Sequence, residues 1–229
     1  MNIAAKSNFD SANNPRVLQM YDAQTYINQL ESISYKRNQY IYRENHSIEK
    51  VYFIESGQVL LSEINDDGRE VIKTILRQGE VFGEQALVSG NTRSERARIK
   101  MDAVLRVVNV GQLKKQMTTN GLFALYFNQL IINKLTNSEQ RWKSQVSSVA
   151  RNRIIDFILE LVEKDGRKVG FEHLVYNSLT HLEMANYLGT SRQTVTVVLN
   201  ELREKNLIYF DRKRLLVRDI EKLKIEKNA

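Results

Sequence analysis

One segment limits the fold of this chain more than any other: residues 122–149 contain neither glycine nor proline. The segment is long enough for an α-helix of about eight turns, at 3.6 residues per turn. Apolar side chains recur along it at helical spacing and form a single stripe. The stripe consists of Leu125, Ile132, Leu135, Trp142, Val146 and Val149. A stripe of this length needs an apolar surface to pack against.

The sequence contains no second helix of comparable length that could cover this stripe. We therefore expect the same helix of a second subunit to cover it, in a two-fold homodimer with a coiled-coil seam. Packing of the helix against a β-domain of its own chain is the alternative. A single face of a β-domain rarely covers a helix of about 40 Å, which favours the dimer.

The residues before this helix indicate a β-domain. Residues 15–35 carry a rough helical stripe of Leu18, Tyr21, Tyr26, Ile27 and Leu30, whose role the sequence leaves open. From Tyr35 to about Val110, short β-branched and aromatic runs alternate with turn residues. Asp66-Asp67-Gly68 is typical of a hairpin, because Asp and Gly tolerate positive φ. A compact antiparallel barrel or jelly roll is the simplest architecture.

The C-terminal third begins with helices separated by clear stop signals. Arg153–Lys164 has an apolar face and ends before Gly166, which places a hinge near Val149–Asn152. Thr180 and Glu183 match a capping box at the start of a helix that runs to Leu188. Gly189 then allows a sharp reversal, and a second helix begins near Ser191. Helix, glycine turn and helix together predict a helix-turn-helix.

The second of these helices has the chemistry of a DNA-reading element. Its inward face is apolar, and its outward face carries Arg192, Gln193, Thr196, Val197, Asn200 and Arg203. Arg can donate two bonds to guanine, Gln can pair with adenine, and Thr can touch a thymine methyl group. Arg192, Gln193 and Thr196 are the predicted base contacts, and Ser191 and Thr194 the predicted phosphate contacts.

A hairpin follows, with the basic residues Arg212 and Lys213 at its tip, where they can approach the DNA backbone. An ordinary helical hairpin with a solvated polar face is the alternative for the two helices. The order helix, helix-turn-helix and basic hairpin favours a winged DNA-binding module.

Composition excludes several other classes of protein. The chain has a net charge of +7, which favours polyanionic partners, and no cysteine, which excludes disulfides and thiolate chemistry. No apolar run approaches the ~18 residues of a membrane span, and residues 1–14 lack a signal-peptide core, so a cytoplasmic protein without membrane contact is expected. The histidines His46, His173 and His181 have no ligand spacing, so a metal-dependent barrel enzyme and any metal site are not expected.

Two motifs resemble those of the Crp/Fnr family of transcription regulators. The first is Leu188-Gly189-Thr190-Ser191-Arg192-Gln193-Thr194-Val195, continued by Leu199 and Glu201-Leu202-Arg203. The second is Phe82-Gly83-Glu84-Gln85-Ala86-Leu87 followed by Arg93-Ser94, which is similar to a phosphate-binding cassette of cyclic-nucleotide domains. The resemblance implies an α+β fold: a cyclic-nucleotide-binding-like β jelly roll in residues 1–120, a dimerisation helix in 121–150, and a winged helix-turn-helix in 151–229.

The resemblance also implies a function. It describes a homodimeric, non-enzymatic regulator that binds double-stranded DNA, contacts RNA polymerase and responds to an effector, with cyclic AMP as the candidate. The implied effector residues are Gly83, Glu84, Arg93, Ser94, Asn137 and Ser138. Their chemistry is suitable, since Glu84 can accept from a ribose hydroxyl and Arg93 can pair with a phosphate beside loop amides.

The chain departs from the family pattern at several positions. Gln193 stands where the family often has Glu, and Val197 replaces an Arg; both changes affect which operator sequence the helix would read. Asn137 replaces a Thr at a position that contacts adenine in the family. In the cassette, Gln85 replaces an aliphatic residue and Glu95 a small one, which places a carboxylate near any bound phosphate. A sensor that binds nothing, with Glu84 and Arg93 as a structural ion pair, is the alternative; such a regulator would bind DNA constitutively.

Overall fold

The computed structural model describes residues 23–47, 49–88, 93–176, 179–211 and 214–227. The chain divides into two compact units. The first comprises Met1–Leu61 and Ile75–Asn137, and the second comprises Ser62–Thr74 and Ser138–Ala229. The three-part division at residues 120 and 150 stays a prediction.

A six-stranded antiparallel sheet forms the core of the N-terminal half. Its strands are β1 (Glu31–Tyr35), β2 (Tyr40–Tyr42), β3 (Lys50–Ile64), β4 (Glu70–Leu76), β5 (Val81–Phe82) and β6 (Arg96–Asn109). The order is β1-β6-β3-β4, with β2 paired to β6 and β5 paired to β3. Alternate side chains of β3 and β6 point into one apolar cluster, whose members include Leu61, Ile99 and Leu105.

The described residues of this half also form α1 (residues 23–29), a short 3-10 helix (Glu84–Leu87), α2 (Val110–Thr119) and the start of α3 (Gly121–Ser147). A second apolar cluster joins α1, α2 and α3 to the sheet, and Phe123 and Phe127 are its buried residues from α3. The predicted apolar stripe of α3 remains exposed in the single chain, with 54 to 71% of each residue accessible. The stripe therefore has no covering surface among the described residues of its own chain.

The C-terminal half consists of short helices around a small sheet. The elements are α4 (Ala150–Asp165), β7 (Arg167–Val169), β8 (Glu172–Tyr176), α5 (His181–Leu188), α6 (Arg192–Glu204), β9 (Ile208–Phe210), β10 (Arg214–Val217) and α7 (Ile220–Glu226). The sheet order is β7-β8-β10-β9. The predicted fold class, a jelly-roll domain, a long helix and a winged helix-turn-helix, is confirmed.

Some element boundaries differ from the sequence predictions. The alternation of short runs and turn residues predicts separate strands on either side of Gly57, but β3 is continuous from Lys50 to Ile64. Gly57 has φ +92°, and a Cβ there would lie 2.4 Å from the Asp102 carbonyl oxygen, so glycine lets β3 pass close to β6. Strand β1 begins at Glu31, before the expected start of the β-domain at Tyr35. Helix α1, on which part of the predicted helical stripe lies, ends at residue 29. No helix among the described residues is long and apolar enough to span a membrane.

Candidate DNA interface and effector site

Local interactions position the helix-turn-helix as the sequence predicts. The Thr180 side chain accepts from the Glu183 backbone N–H at 3.2 Å, and the Glu183 carboxylate accepts from the Thr180 N–H at 2.8 Å. This reciprocal pair is the predicted capping box, and it starts α5. Gly189 ends α5 in the left-handed region, with φ 63° and ψ 48°. Ser191 then caps α6 by accepting from the Thr194 N–H at 3.0 Å.

Helix α6 has one buried face and one exposed face. Val195, Val198, Leu199 and Leu202 are buried, as predicted from their spacing. Arg192 and Gln193 are exposed at the N-terminal end of the helix. Thr196 is half-buried. Its hydroxyl donates to the Arg192 carbonyl oxygen at 2.9 Å and contacts His181 Nδ1 at 2.9 Å. Thr196 thus faces α5 more than Arg192 and Gln193 do.

The wing has the predicted strand pair, β9 and β10, in antiparallel register with Leu216 opposite Tyr209. Its basic tip residues Arg212 and Lys213 lie outside the described residues. The hairpin β7–β8, which extends the same sheet from the other side of β10, was not predicted from the sequence. Val169 and Glu172 frame its turn, and neither residue belongs to an alternating apolar pattern that could have predicted a strand.

In the sensor half, Arg93 lies at the bottom of the predicted cassette. Only 3% of it is exposed. Its Nη1 donates to the Gly83 carbonyl oxygen at 3.2 Å and its Nη2 to the Lys50 carbonyl oxygen at 2.7 Å. The guanidinium lies 4.2 Å from the centre of the Tyr42 ring, a cation–π contact. Arg93 Nε is buried without a hydrogen-bond partner among the described residues.

Glu84 pairs with a lysine of helix α3 and not with Arg93. Its Oε1 accepts from Lys134 Nζ of helix α3 at 2.7 Å, and its Oε2 is buried without a partner among the described residues. Glu84 and Arg93 each bind other groups, so the prediction of a structural ion pair between these two residues is wrong. Lys134 lies 50 residues from Glu84 in the chain, and no motif links them.

A buried tyrosine connects Arg93 to the unusual carboxylate of this cassette. The Tyr42 hydroxyl donates to Glu95 Oε1 at 3.2 Å, and both residues are buried. Burial, followed by the charge of Glu95, raises the pKa of Tyr42 well above its ordinary value. Tyr42 is therefore neutral at physiological pH and presents a neutral ring to Arg93. Arg96 pairs with Glu44 at 2.8 Å.

The remaining predicted effector residues differ in their burial. Gly83 is buried beside Arg93, and the exposed Ser94 donates to the Gln85 side-chain oxygen at 3.4 Å. Asn137 and Ser138 are adjacent exposed residues of α3. The structure thus groups Gly83, Glu84 and Arg93 at the cassette and adds Tyr42 and Lys134, which no sequence motif predicts.

Two protein families match this chain in sequential order. Residues 32–120 match the cyclic nucleotide-binding domain, and residues 152–225 match the Crp-like helix-turn-helix domain. The chain belongs to the Crp/Fnr family of transcription regulators. This Crp/Fnr protein is a DNA-binding transcription regulator, and its family is one of regulators, not of enzymes.

Several known proteins resemble this Crp/Fnr regulator over most of their length. The anaerobic regulatory protein of Bacillus subtilis is 25% identical over 187 residues, which are 80% of this chain and 79% of that protein. A CRP-like cAMP-activated global transcriptional regulator of Mycobacterium tuberculosis is 23% identical, covering 85% of this chain and 87% of the relative. The structure of FixK2 from Bradyrhizobium japonicum has a TM-score of 0.74 at 23% identity, covering 86% of this chain and 96% of that one.

Within the described ranges, no group of three or more histidine, aspartate or glutamate residues is placed to hold a metal ion. His181 instead contacts helix α6.

Proposed function

We propose that this regulator binds its operator as a homodimer, with the exposed stripe of α3 as the subunit seam. The support is the exposure of five apolar side chains along a helix of 27 residues, and of Val149 just beyond its end. A soluble monomer rarely leaves so continuous an apolar surface in water. Two helices packed along this stripe would place two recognition helices α6 on half-sites about 34 Å apart.

In this proposal, Arg192 and Gln193 are the principal base contacts, because they are exposed at the N-terminal end of α6. Thr196 is a third, through its methyl group, since its hydroxyl already has two partners. Ser191 and Thr194 contact phosphate, and Arg212 and Lys213 of the wing contact the DNA backbone. The bound dimer would then contact RNA polymerase in the cytoplasm.

We further propose that a small anionic effector binds at Arg93, with cyclic AMP as the candidate. One observation carries this proposal: Arg93 Nε and Glu84 Oε2 are buried polar atoms without partners among the described residues. Leaving such atoms unsatisfied is costly, and a ligand that offers both an anion and a hydroxyl would satisfy them. A cyclic nucleotide offers both. The cAMP-activated relative from M. tuberculosis is in accord with this choice.

The Glu84–Lys134 ion pair suggests how the effector would act on DNA binding. Lys134 belongs to α3, so a ligand hydroxyl that binds Glu84 changes the interaction of the cassette with that helix. Asn137 and Ser138, one turn further along α3, would contact the ligand from the seam. An effector can shift the helix pair only if it binds one arrangement more tightly than the other.

A regulator whose sensor binds no ligand is the second candidate. The observation that favours it is that Arg93 already donates to two backbone carbonyls and stacks on Tyr42. A nearby buried carboxylate, Glu95, also opposes the entry of an anion. Such a protein would bind DNA with the same affinity in the presence and absence of nucleotides.

Calorimetric titration with cyclic AMP separates the two candidates. Trp142 fluorescence follows the same titration, since this exposed side chain lies one turn beyond Ser138. We expect saturable binding that Glu84→Gln weakens and Arg93→Ala abolishes, while Arg98→Ala, a change outside the cassette, leaves it intact. Absence of heat and of a fluorescence change in a folded dimer would contradict cyclic AMP as the effector.

A further inference from the structure

His181 contacts helix α6 through a hydrogen bond whose direction can be assigned. It is the first residue of α5, it is half-buried, and its Nδ1 lies 2.9 Å from Thr196 Oγ1. The Thr196 hydroxyl has one hydrogen, and it donates this to the Arg192 carbonyl oxygen at 2.9 Å. When both contacts are hydrogen bonds, Thr196 accepts from His181 and Nδ1 carries a hydrogen.

This assignment leaves Nε2 as the nitrogen that titrates. Neutral imidazole carries one hydrogen, and in His181 that hydrogen is on Nδ1. Protonation adds the second hydrogen to Nε2 and makes it a donor. The contact with Thr196 is present in both charge states, and only the charge and the donor at Nε2 change with pH.

The charged groups around the His181 ring disfavour its protonated form in the free protein. From α6, the positive charge of Arg192 acts on the ring, and the Arg203 guanidinium lies 5.3 Å from the centre of the Phe210 ring. From β9, uncharged Phe210 lies 5.8 Å from the His181 ring. On α5 itself, the Glu183 carboxylate is occupied by Thr180.

Burial, and then the charge of Arg192, lowers the pKa of His181 below its usual value. Among the residues that the structure describes, no carboxylate forms an ion pair with His181. A cationic His181 thus lacks an anion in the free protein.

We propose that DNA supplies this anion: in the operator complex, His181 Nε2 donates to a backbone phosphate, and DNA binding is coupled to proton uptake at this residue. The inference rests on the proposed function of α6 as the recognition helix. His181 adjoins Arg192 and Thr196 on that helix, and phosphates border the groove that such a helix enters. The contact is charge-assisted, so it favours imidazolium over imidazole.

The sign of the pH dependence follows from this coupling. A phosphate raises the pKa of His181 in the complex above its value in the free protein. DNA affinity is therefore highest below the pKa that His181 has in the free protein. It decreases as pH rises towards the pKa that His181 has in the complex. Above that second pKa the affinity is again independent of pH. The slope of log affinity against pH is at most about one per protonated site.

The experiment measures the affinity of the full-length protein for a duplex that the wild-type protein selects from a randomised pool. Fluorescence anisotropy at constant ionic strength covers pH 5.5 to 8.5, a range in which histidine titrates. We expect the affinity of the wild type to decrease about three- to tenfold across this range. Calorimetry in two buffers with different ionisation enthalpies should detect proton uptake of up to about one per subunit at pH 6.

Two variants separate the charge of His181 from its structural contact. The amide of His181→Asn can still donate to Thr196 but has no titrating nitrogen, so we expect weak, nearly pH-independent binding. His181→Arg is cationic at every pH tested, so we expect strong binding that also changes little with pH. His173→Asn, on strand β8, is the matched control and should keep the wild-type pH profile.

The possible failures are distinguishable. A steep pH profile that His181→Asn and His181→Arg both retain would overturn the role of His181, while sequence-specific binding itself would leave the recognition helix in place. Absence of any selected duplex would overturn the proposed role of α6 in reading DNA sequence, and this inference with it.

Discussion

Arg153 Nη2 donates to the carbonyl oxygen of Gly189 at 3.0 Å, so helix α4 holds the turn of the helix-turn-helix directly. The same guanidinium donates through Nε to the Leu188 carbonyl oxygen at 2.9 Å and through Nη1 to the Ser148 carbonyl oxygen. Ser148 lies in the break between α3 and α4. One side chain therefore joins the end of the long helix to the residues that precede the recognition helix.

Replacement of Arg153 by alanine should weaken both stability and DNA binding. It removes the partners of three carbonyl oxygens, and we expect the free energy of unfolding to decrease by about 2–3 kcal/mol. Hydrogen exchange should show faster opening of α5 and the turn than of α7. Arg153→Lys, which can replace only part of this contact, should be intermediate. Unchanged exchange in the alanine variant would show that the turn does not depend on Arg153.

The elements that the sequence predicted correctly are those determined by local interactions. The capping box of Thr180 and Glu183 and the reversal at Gly189 each lie within a few residues, and their hydrogen bonds follow from residue type. The buried face of α6 follows from helical periodicity alone. In the same way, the helix 121–147 was evident because nothing in its sequence interrupts it.

The features that the sequence missed depend on tertiary contacts. Strand β1 reads Glu-Ser-Ile-Ser-Tyr, and its pairing with β6, about 70 residues away, makes it a strand despite its polar residues. Tyr42 and Lys134 reach the cassette from β2 and α3, so no local motif contains them. The contact of His181 with Thr196 likewise requires the packing of α5 on α6, although both residues lie in the predicted motif.

Thr180→Ala tests the start of α5. Loss of the side-chain acceptor leaves the Glu183 N–H without its cap, and we expect a loss of about 1 kcal/mol in the free energy of unfolding. Urea denaturation measures this loss. Thr118→Ala is a matched control, because the Thr118 hydroxyl bonds only within the last turn of α2. Equal effects of the two substitutions would contradict the importance of the cap.

Glu226 should contribute to stability in a pH-dependent way. Its carboxylate accepts from Lys205 at 2.7 Å and from Arg151 at 2.7 Å, and these bonds, chiefly that with Lys205, lower the pKa of Glu226. A lowered pKa in the folded state stabilises the protein above the unfolded value of about 4.3, and this contribution is lost as pH falls through the folded value.

We therefore expect Glu226→Gln to lower the melting temperature at pH 7 by a few degrees at most, and to have almost no effect near pH 3. The pair with Lys205 is partly exposed, so the loss at pH 7 should not exceed about 1 kcal/mol. Thermal melts at both pH values measure the difference. The Lys224–Glu221 pair is more exposed, so Glu221→Gln serves as the control. An equal effect of Glu226→Gln at both pH values would argue against this linkage.

Ile132→Glu tests the seam of the proposed dimer. Ile132 is 54% exposed in the single chain and lies in the middle of the apolar stripe. A carboxylate at this position would be buried against its own copy in the dimer, so we expect a monomer with an intact fold. Sedimentation velocity measures the change in mass. Gln140→Glu, an exposed substitution away from the stripe, should leave the dimer unchanged. A dimeric Ile132→Glu protein would place the seam elsewhere.

Selection of DNA from a randomised duplex pool tests most directly whether two recognition helices of a dimer read sequence. We expect an enriched inverted repeat with half-sites about one helical turn apart. Arg192→Ala should lower affinity by about 1–3 kcal/mol and relax the preference at one base pair in each half-site. Lys222→Ala, on α7, should leave the selected sequence unchanged. A pool without enrichment, or an unchanged sequence preference in Arg192→Ala, would contradict the assignment of α6.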